Sequence, residues 1–212
     1  MSAAATDNAK SHNDNGMSPL PMSLLPLLIL FVATIVLFWL SQKDVGATFK
    51  YWEIFLPVVA VVSLISGWSQ SYVSGSNRVW YLLRQVVNWG AIIGLLYILN
   101  TQGYRELMSD QQYTGVVLYL LALGTLLAAV QMDIKLIFFA VFLVFCAYVI
   151  AVPANNPTLI GVGNFIGIAE PQTKPLLVAS AMAVAGFVAS LFVVLMMRGA
   201  VIAKNASKKR RK

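Results

Sequence analysis

The two side chain types that most often ligate metals or attack substrates occur once each. His12 stands in a polar N-terminal stretch, and Cys146 lies in the middle of an apolar run. Membrane haem, copper and di-iron centres draw their ligands mainly from histidines on spanning helices. The apolar runs of this chain contain no histidine, which argues against haem or His-ligated metal chemistry. One thiol closes no internal disulfide and builds no cluster or zinc site, so Cys146 reads as a small buried hydrophobe. HExxH, GxSxG and a phosphate-cradling glycine loop with lysine are all absent. The expectation is no catalytic residue, no cofactor and no metal, hence not an enzyme. A lipid-modifying enzyme would need an acid–base or nucleophile constellation that these residues do not supply.

The carboxylates point the same way. Glu53 falls near the start of an apolar run, and Asp133 falls in a break between two runs. Glu106 and Asp110 stand four apart beside Arg105 in a connecting segment and read as a solvated loop face. Proton- and cation-coupled carriers usually hold acids at membrane depth. Here the middle thirds of the apolar runs hold none.

Arg84 is the one arginine set inside an apolar run, in residues 78–99, RVWYLLRQVVNWGAIIGLLYIL. A charge at the centre of a bilayer costs at least about 2.5–3.5 kcal/mol, and less near an end. Arg84 lies six residues past Arg78, about 9 Å of helix rise inward. Its side chain is therefore expected to snorkel back to the headgroups. The alternative is a polar site inside the membrane, with Arg84 paired to Asp133 and with Asn88 one turn on. At 100° per residue Asn88 lies about 40° from Arg84, whereas Gly90 and Gly94 lie at about 240° and 280°. GxxxG spacing lets two helix backbones approach closely, and in lipid that packing drives association. A helix with contacts in two directions is either central in a bundle or sits between the bundle and a partner. The expectation is that 78–99 is the packing hub, with an oligomer face as the alternative.

The elements that position these residues follow from composition. Of 212 residues 59% are hydrophobic and only 11% charged, and the mean hydropathy is +0.77. Soluble domains are about 45–50% apolar and about 25% charged. A chain this apolar cannot cover its surface with charge, so the class is membrane protein. A span needs about 20 mainly apolar residues to cross a core of about 30 Å. Six runs qualify, at about 20–40, 51–68, 78–99, 113–131, 134–152 and 175–197. The first has no cleavage site after it and is longer than a signal-peptide core, so it reads as a retained span. The fourth and fifth form a tight hairpin, broken at Met132 and Asp133. Tyr51, Trp52 and Trp68 bound the second, at the level where aromatic rings prefer to sit. Residues 1–17 are polar and read as disordered, 18–200 form the membrane domain, and 201–212 form a basic tail.

Six spans place both termini on one side. If that side is cytoplasmic, it carries Lys10, Arg78, Arg84, Lys135, Arg198, Lys204, Lys208, Lys209, Arg210, Arg211 and Lys212, leaving Lys43, Lys50, Arg105 and Lys174 outside. Eleven against four satisfies the positive-inside rule. The whole bias comes from the seven basic residues from Arg198 onward. Lys208, Lys209, Arg210, Arg211 and Lys212 read as contacts to anionic lipid, each worth about 1 kcal/mol near the leaflet. No aromatic or structured element accompanies them, so nucleic acid is not expected.

Two further features concern packing and transport. In the last run Ala181, Ala185 and Ala189 stand four apart, and Ala179, Ala183, Gly186 and Ser190 form a neighbouring small-residue ridge; both suit close helix packing. The connection 153–174 has an apolar, glycine-punctuated centre at 158–168 where a polar loop is the default. It is expected to dip into the membrane or lie on it. The fold class is an all-α integral membrane protein, a bundle of about six transmembrane helices with short loops, in a bacterial inner membrane. No known family is recognisable in these motifs. The expected function is a membrane subunit or accessory protein that acts by helix packing, with other membrane subunits or itself as partner. The alternative is a channel or carrier for an anion or neutral solute, built on the 153–174 connection.

Overall fold

A computed structural model of the chain describes the backbone of residues 20–74, 78–131 and 134–210, with side chains at 24–66, 79–80, 82–131 and 134–199. The tail 1–17 with His12, the turn residue Asp133, and Arg211 and Lys212 lie outside the described residues. So do the side chains of Lys208, Lys209 and Arg210.

Among the described residues all regular structure is helical. The order is α1 (Leu20–Lys43), α2 (Val45–Ser74), α3 (Arg78–Thr101), a short α4 (Tyr104–Leu107), α5 (Asp110–Gln131), α6 (Leu136–Ala151), α7 (Pro157–Ile166), a 3-10 turn (Pro171–Thr173) and α8 (Pro175–Arg210). Five of these helices, α1, α2, α3, α5 and α8, are long and apolar enough to cross a membrane. The chain is thus an all-helical protein of the membrane type.

Local chemistry sets the helix boundaries. Asp44 is the single residue between α1 and α2, and its Oδ1 accepts from Ala47 N at 3.0 Å. Ser109 opens α5 with a reciprocal capping box: Gln112 N donates to Ser109 Oγ at 3.2 Å, and Ser109 N to Gln112 Oε1 at 3.1 Å. The expected fifth span is shorter than the reading at 134–152. It is the 16-residue α6, about 24 Å at 1.5 Å per residue.

The connection after α6 is not a loop at its centre but α7, ten residues long. Asn156 caps it, accepting from Leu159 N at 2.9 Å, and Pro157 follows at the first helical position, where proline loses no hydrogen bond. Gly167, at φ 80°, ends it. Gly167 N bonds Asn164 O at 3.1 Å and Ile168 N bonds Gly163 O at 2.8 Å, the paired bonds of a Schellman cap. The glycines at 161 and 163 therefore lie in regular helix, with their carbonyls inside a hydrogen-bonded turn.

The α5–α6 hairpin makes the most extensive helix pairing. α2 packs on α5, α1 on α2 and α6, and α8 on α1 and α6. α3 packs against α2 and α5. The core is fully buried aromatic and aliphatic side chains, among them Phe38, Trp52, Tyr113, Phe139, Phe142 and Leu118. Phe31 joins α1 to α6 and α8, with ring centroids 5.2 Å from Phe139, 5.4 Å from Phe142 and 6.2 Å from Phe187. Cys146 is buried in this core as a free thiol.

One reading changes. The expected packing hub, α3, lies at the edge: 17% of its membrane-length window is buried, against 61% for α5. The hub is α5, whose small residues Gly115, Ala122, Gly124 and Ala128 are all buried and admit neighbours closely on several sides. Of the two aromatic residues at 51 and 52, Trp52 is fully buried in the bundle and donates from Nε1 to Ser41 Oγ at 2.8 Å, whereas Tyr51 is exposed.

Candidate functional site

α3 has two faces, as the residue angles predict. Gln85, Trp89 and Ile92 are buried at 1%, 2% and 6% exposure and define the inward side. Gly90 is exposed and Gly94 half-buried on the opposite side. A Cβ added at either glycine would meet nothing within 4 Å. Among the described residues, the GxxxG pair therefore has no neighbour seated on it. It forms a notch in an outward face that also presents Leu83, Val87 and Tyr97.

The glycine that admits α3 to the bundle is on the other helix. A Cβ on Gly124 of α5 would stand 2.5 Å from Ile92 Cδ1 and 2.9 Å from Trp89 Cζ3. Gly124 has a small partner four residues on, Ala128, but sequence reading missed it because nothing in the spacing says which helix lies over it; its role shows only once α3 does.

The inward side of α3 also carries a polar seam. Gln85 Nε2 approaches Gln131 Oε1 at 3.4 Å, and Asn88 Nδ2 approaches Gly124 O at 3.4 Å. Both are long for amide hydrogen bonds. Gln85 Oε1 and Trp89 Nε1 are buried with no partner among the described residues. The seam thus contains an unused acceptor and an unused donor four residues apart. Gln85 escaped the sequence reading beside the more conspicuous Arg84, although it lies between the two residues singled out.

Arg84 belongs to neither face. It is exposed and forms no ion pair with another described residue. The structure does not bring it together with Asn88, which is half-buried and turned to α5. The suggested partner, Asp133, is outside the described residues.

The other end of the bundle holds the charged cluster. Tyr113 OH of α5 donates to Glu53 Oε1 of α2 at 2.5 Å. Arg105 of α4 pairs with Asp110. Its guanidinium lies 4.4 Å from the Phe49 ring centre and 4.8 Å from that of Tyr113. Cation–π contacts of this kind add about 0.5–2 kcal/mol each. Glu106 is exposed and Asp110 is ion-paired, so the two acids do not act as a pair. The cluster ties α2, α4 and α5 together. Its groups are each engaged with one another.

On α8 the inward ridge is Ala179, Ala183, Gly186 and Ser190. Gly186 lies under the Phe31 ring, a Cβ there standing 3.2 Å from Cζ. Ser190 Oγ lies 3.0 Å from Lys135 O and 2.9 Å from Gly186 O. The other row is lateral: Ala181 and Ala189 are half-buried and Ala185 is exposed. Ala185 and Ala189 line a shallow apolar groove of about 220 Å³ with Phe138, Val141 and Phe142. No set of three or more potential metal ligands occurs among the described residues.

No family model matches the chain, and no curated protein or solved structure matches it either. The functional reading therefore rests on these residues alone.

Proposed function

We propose that the protein is a non-catalytic subunit of a membrane complex, and that α3 is the helix it offers to a partner span. The observation that carries this reading is the empty notch at Gly90 and Gly94 on a helix already fixed to the bundle by its other face. A membrane helix gains association energy from close van der Waals packing, and small residues at four-residue spacing permit it. The α5 side of α3 has its own glycine, Gly124, so the α3 pair is not needed to fold the chain. The carboxylate that lies within a membrane-length helix, Glu53, is held by Tyr113, and the absence of HExxH and GxSxG motifs fits a packing role better than catalysis.

In this reading the chain crosses a bacterial inner membrane six times, with α6 as the short crossing and both termini cytoplasmic. The support is the eleven-to-four distribution of Lys and Arg. The basic end of the chain, Lys208 to Lys212, meets anionic headgroups on that side. The partner is another membrane subunit or a second copy of the chain.

The test is purification in mild detergent, followed by mass measurement of the intact assembly. Stoichiometric membrane subunits, or a defined homo-oligomer, that disappear in Gly90→Leu/Gly94→Leu support the reading. A monomeric wild type, or an assembly indifferent to the double substitution, contradicts it.

A further inference from the structure

α7 carries one residue that water should not hold. Phe165 is 92% exposed and Ile166 beside it 41%. The helix, PTLIGVGNFI, contains no ionisable side chain. The nearest charges after it, Glu170 and Lys174, are both exposed. Its buried side, Leu159 and Gly163, is fixed firmly to the bundle. A Cβ on Gly163 would stand 2.4 Å from Pro171 Cβ and 3.4 Å from Val178 Cγ2. Asn156 Nδ2 donates to Tyr148 O at 3.2 Å and Val152 O at 2.9 Å, so the start of α7 is bonded to the end of α6. Gln172 Nε2 closes the far side on Asn156 O at 3.2 Å.

Two depths can be read from these contacts. The 16 residues of α6 reach about 24 Å, about 6 Å short of a hydrocarbon core of about 30 Å. On the other strand of the connection, Gly163 meets Val178, three residues into α8, about 4.5 Å below its first residue. Both place α7 a few ångströms below the outer end of the bundle. Its main helix contacts are with α6 and α8, not with α1, α2 or α5, so it flanks the bundle and does not lie across its top.

We infer that α7 is an interfacial half-helix seated in the outer leaflet, completing the crossing that α6 leaves short and burying Phe165 among lipid at the headgroup–acyl boundary. This rests on the six-crossing reading above. The occupant of the exposed face is lipid, because an uncharged helix with its backbone bonds internally satisfied can sit at that depth. Glu170 and Lys174 then mark where the chain returns to water.

The test uses the full chain in phosphatidylcholine–phosphatidylglycerol vesicles on a Cys146→Ala background. A nitroxide is placed by Phe165→Cys, with Val144→Cys on the exposed side of α6 as the lipid standard and Glu106→Cys, an exposed charged position on α4, as the aqueous standard. The expected result is higher accessibility to oxygen than to a nickel chelate at 165, at a depth shallower than 144. Nickel accessibility at 165 equal to that at 106 overturns the proposal, as does exclusion of both reagents, which means protein covers the face. If 144 is lipid-accessible in those cases, the α6 crossing stands and only the seating of α7 fails. An aqueous 144 overturns both. Phe165→Trp, with quenching by brominated lipid above that of the wild type, reads the same seating without a label; no added quenching contradicts it.

Discussion

Tyr113 and Glu53 show what single residues contribute here. The phenol of α5 reaches a half-buried carboxylate on α2, and hydrogen bonds to charged groups contribute about 1.5–3 kcal/mol. Tyr113→Phe removes the donor and leaves Glu53 without it. The expected result is a loss of about 1–3 kcal/mol, measured as a lower midpoint in detergent unfolding with the helix content of the folded form unchanged. Gln85 is the opposite case. It is 1% exposed, its one amide contact is long, and its Oε1 has no partner among the described residues. An unsatisfied buried polar atom costs about 1–3 kcal/mol. Gln85→Leu is therefore expected to hold or raise the thermal midpoint of the purified protein. A clear fall would mean that the amide contributes more than its observed contacts account for.

At the scale of helices, glycines divide into two kinds. Gly124 is occupied on its open side by Trp89 and Ile92. Gly124→Ala must displace two buried side chains, and overpacking of this kind costs about 1–3 kcal/mol. Gly90→Ala meets nothing and should leave the unfolding midpoint of the isolated chain unchanged or slightly raised, since alanine is the better helix former. Equal destabilisation by both would contradict the placement of α3. The sequence shows that α3 is two-sided, because angular spacing is a property of the helix alone. It does not show which side meets the bundle, because that depends on what α5 presents. The inward side is instead marked by Trp89 and Ile92 packing on Gly124, 32 or more residues away, and by Gln85 facing Gln131. α7 has a comparable history. Its Asn156-Pro157 start and Gly167 stop are legible signals, but the glycines at 161 and 163 weaken helix propensity between them. Only contact with Pro171 and Val178 explains why Gly163 belongs in a helix.

For the whole molecule, composition alone identifies a helical membrane protein, since an 11% charged chain has too few charges for a water-facing shell. The number of crossings is harder to read, because Met132 and Asp133 interrupt one long apolar stretch and leave α6 at 16 residues. The six-crossing reading predicts that reporters fused after Lys212 and inserted at the 75–77 connection are active on the same side, with one inserted at 102–103 on the other. Five crossings, with α6 not crossing, would instead put the reporter after Lys212 on the side opposite to the one at 75–77. The central claim is that this bundle is complete except for one helix face. Its most direct measurement is the mass of the intact assembly extracted in mild detergent, for the wild type and for Gly90→Leu/Gly94→Leu. The account predicts a defined assembly in the first and a folded, stable single chain in the second. A wild type that is already a single chain, or a double variant that keeps the full assembly, would contradict it.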